Sequence, residues 1–91
     1  MSAIAERVAA GAAFLDEQDP DWWRNLDLQS LDLGSCTRCV LGQLSGTFGT
    51  GLVVFDLDDE GARNLGFNTF IGFDALTAEW KRVITGRRSA S

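Results

Sequence analysis

Ala3-Ile4-Ala5-Glu6-Arg7-Val8-Ala9-Ala10-Gly11-Ala12-Ala13-Phe14-Leu15-Asp16-Glu17-Gln18 repeats its apolar residues at helical rather than strand spacing. Ile4, Val8, Gly11 or Ala12 and Leu15 fall on one face, which predicts an amphipathic helix over residues 3–18 with Ser2 as its cap. The small residues from Ala9 to Ala13 predict a close approach by another element. Gly11 sits inside the helix, where glycine costs about 1 kcal/mol relative to alanine. A packing reason for it is therefore expected.

A second helical pattern closes the chain. Asp74 reads as a cap, Leu76, Trp80, Val83 and Ile84 as the apolar face, and Gly86 as the end. Lys81 and Arg82 suit the negative end of that helix dipole, and Arg87 and Arg88 read as solubilising charges on a frayed tail. Between these helices the signals are shorter. Asp19-Pro20-Asp21-Trp22-Trp23 places a cap, a first-turn proline and an acid in order, so a short helix or 3₁₀ turn is expected to about Asn25. Leu26, Leu28, Leu31 and Leu33 alternate with polar residues and predict a strand or an extended connector with its leucines inward. Ser35 caps a predicted helix over 36–45, closed by Gly46, and a glycine-rich loop follows over 47–51. Leu52-Val53-Val54-Phe55 has the composition of a short buried strand and equally suits a helical turn. Asp58 to Gly66 predicts one more helix, with acids at its start and glycine just past its end, and Phe67–Phe73 reads as a loop.

These segments predict a mostly α fold: a compact small domain of three to five short helices, with room for one short strand. One domain over 1–86 and a disordered tail over 87–91 are expected. Ninety-one residues leave no room for a second domain, and 45% apolar composition with three Trp and six Phe supplies a core. The net charge is −5 and unevenly spread. Residues 1–80 carry four cations against thirteen acids, a balance of −9, while residues 81–91 carry +4. An acidic body argues against a nucleic-acid-binding face, and acids scattered among apolar residues are not arrayed as a phosphate mimic. No apolar run is long enough to span a membrane, and Glu6 and Arg7 interrupt any signal-like stretch. A cytoplasmic, reducing setting is the expectation.

Trp22-Trp23, the run Leu31–Leu44 with Cys36-Thr37-Arg38-Cys39-Val40-Leu41-Gly42, then Leu65-Gly66-Phe67, Gly72-Phe73-Asp74 and Trp80 to Arg88 together form a pattern. It resembles small uncharacterised proteins encoded by actinobacteria and their phages. The resemblance spans most of the chain and carries no activity. It implies a source and a style of protein, a phage-type accessory factor, and not a mechanism; many such small phage proteins act by binding a host component.

Chemistry concentrates at Cys36 and Cys39. In the first turn of a helix the dipole favours the thiolate, and residues three apart share a face. The pair is open to a disulfide, to a metal or to simple packing as small apolar groups. A zinc site takes four ligands, and a chain with two Cys and no His would need a second copy to complete a Cys₄ set. Zinc shared between two chains is thus the alternative to no cofactor. A redox role lacks the thioredoxin setting: no tryptophan stands directly before Cys36, and the only proline lies upstream. The absence of histidine removes the commonest general base. Asp56, Asp58, Asp59 and Glu60 lack calcium-loop spacing, and Gly46–Gly51 lacks the lysine of a phosphate loop.

Two adjacent tryptophans on a helical turn diverge by about 100°, so one is expected in the core and the other partly exposed. The expected function is a non-catalytic protein-interaction module binding a host protein or itself as a homodimer. Trp22, Trp23, Arg87 and Arg88 are its contact candidates. The alternative is a thiol module at Cys36 and Cys39, either redox-active or zinc-bridged.

Overall fold

The computed structural model describes residues 3–69 and 72–90. Helix α1 spans Ala3–Gln18, a 3₁₀ turn spans Trp22–Arg24, and four further helices follow: α2 (Val40–Ser45), α3 (Phe48–Val54), α4 (Asp59–Asn64) and α5 (Phe73–Ala90). No strand occurs among the described residues, and the mostly α expectation holds. A Cα radius of gyration of 11.6 Å matches the ~12 Å expected of a packed globule of this length.

α1 buries Val8, Gly11, Ala12 and Leu15, the face its spacing predicts. It packs against α5 and α4, the 3₁₀ turn packs on α5, and α2 and α3 pair with each other. Gly11 now has its reason. A Cβ there would lie 1.9 Å from the Leu65 carbonyl oxygen and 3.1 Å from the Trp80 ring, so only glycine lets α1 approach the end of α4. Gly66, at φ 73°, brings its backbone equally close to Arg7 and Val8. Trp80 lies between these elements. Its indole N–H donates to the Gly66 carbonyl at 2.6 Å, Phe67 stacks on it at 5.5 Å, and Trp22 meets it edge-on at 5.7 Å.

α4 follows its sequence signals closely: Asp58 caps it by accepting from the Gly61 N–H at 2.6 Å, and Gly66 follows in left-handed backbone. Four other expectations need correction. The Leu26–Leu33 segment is a series of turns, not a strand. Asp27 accepts from the Gln29 N–H and the Ser30 hydroxyl at 3.0 and 2.8 Å, which curls the chain while Leu26, Leu31 and Leu33 still point inward. The expected loop over 47–51 is instead the start of α3, because Thr47 caps that helix by accepting from the Thr50 N–H at 3.0 Å, and of the two readings of Leu52–Phe55 the helical turn holds. α5 begins at Phe73, since the Leu76 N–H already donates to Gly72 O, and Asp74 sits in its first turn rather than capping it.

The fourth correction concerns the tail. Gly86 does not end α5, and residues 87–90 are helical instead of disordered. Arg87 grips Asp16 through two bonds of 2.6 and 2.9 Å, which anchors the last turn to α1. The expected Ser2 cap and position 91 of the expected tail lie outside the described residues, as does the middle of the Phe67–Phe73 loop.

Candidate functional site

The two cysteines separate. Ser35 accepts from the Arg38 N–H at 3.2 Å, but this makes a turn that does not continue as a helix. α2 starts four residues later than expected, at Val40, with Cys39 as its N-cap. The Cys39 Sγ accepts from the Gly42 N–H at 3.2 Å. Cys36 is exposed and Cys39 buried, so they do not share a face in the first turn of a helix. Burial pushes the Cys39 thiol up, against the weaker pull of the backbone N–H bonds. That shift opposes the thiolate expected at a helix start. Cys36 borders a cavity of about 140 Å³ with Phe48 and Phe73. Among the described residues no group of three or more His, Cys, Asp or Glu is placed to hold a metal ion. The zinc alternative therefore needs ligands from another chain.

Of the expected contact residues, Trp22 is completely buried and donates its indole N–H to Asp16 at 2.9 Å. Trp23 is half-buried against the core, with the Arg24 guanidinium 4.7 Å over its ring. The division of the pair into one core and one partly exposed ring follows. Arg87 is engaged by Asp16 and lies 5.8 Å over the Trp22 ring. Arg88 donates to the Trp23 carbonyl at 3.0 Å and also to Leu26 O, closing the end of the 3₁₀ turn. Trp22, Arg87 and Arg88 thus hold the molecule to itself. Gln43 does the same for the connector: its side chain bonds Asp27 N, Asp27 O and Arg38 O at 2.7–3.1 Å.

The surface that is free lies on α3. Val53 is 82% exposed and Val54 62% exposed, the large exposed apolar residues of the described chain. Phe48, Gly51, Leu52 and Phe55 fall at the i, i+3, i+4, i+7 positions that face inward. Gly51 is buried where a Cβ would meet Leu41 at 2.7 Å, and the Phe55 ring lies edge-on to Phe14 at 5.9 Å. Val53 and Val54 take the opposite side. Residues 39–55 carry no charge at all. Composition alone reads Leu52–Phe55 as uniformly buried, and packing against Leu41 and Phe14 decides which side turns inward. A helical period separates its residues into two faces.

None of the protein families, curated proteins or solved structures compared with this chain matches it. Among the described residues no helix is long and apolar enough to cross a membrane.

Proposed function

We propose that this chain is a non-catalytic protein-interaction module whose contact surface is the outward face of α3. The observation that carries the reading is the exposure of Val53 and Val54 side by side on an uncharged helix. These adjacent branched aliphatics form a small exposed apolar patch that a partner can cover. The rest of the chain supports the reading by its chemistry: no histidine is available as a base, and the Cys39 sulfur is occupied as a helix cap. In the phage-type setting that the sequence resemblance suggests, the occupant is a host protein.

Site-specific crosslinking tests this. A photoactivatable residue at position 54, in cells that produce the protein, is expected to form a discrete covalent adduct. The same group at exposed Glu17 on α1 is expected to form none. Adding Val53→Asp removes the adduct without changing the unfolding midpoint, because exposed substitutions alter stability by about 0.5 kcal/mol or less. The adduct's mass tells a host protein from a second copy. Equal adducts from both positions, or none from either, would sink the proposal.

A further inference from the structure

The apolar face of α3 has one strongly charged border. Asp56 follows Phe55 directly, and its N–H donates to the Val53 carbonyl at 3.3 Å, so this acid stands at the foot of the exposed valine. Asp58, Asp59 and Glu60 come next, at the start of α4, and all four carboxylates are exposed. Among the described residues no ion pair involves any of them, whereas Asp16, Asp21 and Glu79 each have an arginine partner. The opposite end of α3 begins with Gly46 and Thr47 and is uncharged. The exposed valines and the acids follow one another in a single stretch of the chain, residues 53–60.

We infer that the occupant of this face is a protein segment that pairs apolar side chains with lysine or arginine on one flank. This rests on the reading of α3 as the contact surface and adds the chemistry of the partner. Burying Val53 and Val54 supplies the non-directional attraction. The four carboxylates supply steering and orientation, and repel acidic segments. A second copy of this chain fits less well. It brings a net charge of −5, which opposes a second acidic face.

A displayed library of random-sequence peptides is the probe, selected on the wild-type protein and counter-selected on the Val53→Asp/Val54→Asp variant. Enriched peptides are expected to combine apolar residues with an excess of Lys and Arg over the starting library. Their binding should weaken about tenfold in an Asp56→Asn/Asp59→Asn/Glu60→Gln variant, and several-fold on raising salt to physiological levels. Asp58 is kept, because it caps α4. Enriched peptides that need Val53 and Val54 but show no basic excess and no salt dependence overturn the partner chemistry and leave α3 as the contact surface. Failure to enrich any peptide that distinguishes the valine variant from wild type overturns both. Sedimentation of the peptide-free protein as a dimer that Val53→Asp dissolves would assign the face to a second copy and overturn the inference.

Discussion

A methyl group at Gly11 would stand 1.9 Å from the Leu65 carbonyl oxygen, and this one distance outweighs helix propensity. Replacing glycine by alanine inside a helix ordinarily gains up to about 1 kcal/mol. Gly86 in α5 has open space around it and should show that gain, about 0.5–1 kcal/mol for Gly86→Ala. Gly11→Ala should instead lose about 1–3 kcal/mol, because α1 and the backbone after α4 must separate. Urea unfolding of the two variants reads both signs. A Gly11→Ala midpoint at or above wild type would show that α1 does not need this approach. The sequence makes Gly11 conspicuous, but the carbonyl it accommodates lies far along the chain. The same limit applies at Cys39. Its helix cap is a local bond to Gly42, yet its burial comes from residues brought over it by the fold.

At the scale of an element, the legible helices are those whose caps lie within one turn of them. Asp58 and Gly66 bracket α4 in the sequence as they do in space. Ser35 satisfies the same local pattern and spends it on a turn, so α2 begins at Val40 and not at 36. Thr47 reads as a loop residue among its glycines, yet its side chain accepts from the Thr50 N–H and starts α3. That bond makes a prediction. Thr47→Ala should cost about 0.5–2 kcal/mol, and Thr47→Ser should retain most of it. Amide exchange at Leu52–Phe55 should quicken in the alanine variant ahead of the rest of the chain. Uniform exchange across all helices would show that α3 has no separate dependence on its cap.

Over the whole molecule, Asp16 joins the two ends of the chain. Its carboxylate accepts from Arg87 and from the Trp22 indole. The Arg87 bond, ahead of the smaller opposing effect of burial, holds it below the usual carboxylate range. A group whose pKa is depressed by folding stabilises the native state above its unfolded value, near pH 4. That stabilisation is lost as pH falls through the lower folded value. Arg87→Met should therefore be less stable than wild type at neutral pH, and the two should converge in acid. The Asp16 side chain is 39% exposed, so salt should narrow the gap as well. A difference that stays constant from neutral pH to pH 2 would show that Arg87 acts through its packing on Trp22 and not through the carboxylate.

The sequence by itself determined the helical class, the caps of α4 and the inward leucines of the connector. Helical period, caps and turn residues act within a few positions of each other, so a one-dimensional reading contains them. Tertiary structure alone decided that Trp22 and not Trp23 enters the core, and that Cys39 and not Cys36 is covered. It also decided that Arg87 and Arg88 close the molecule instead of fraying, and that Val53 and Val54 face out. Each of these outcomes depends on partner atoms from a distant segment, and neighbouring residues of like chemistry differ only in which partners reach them.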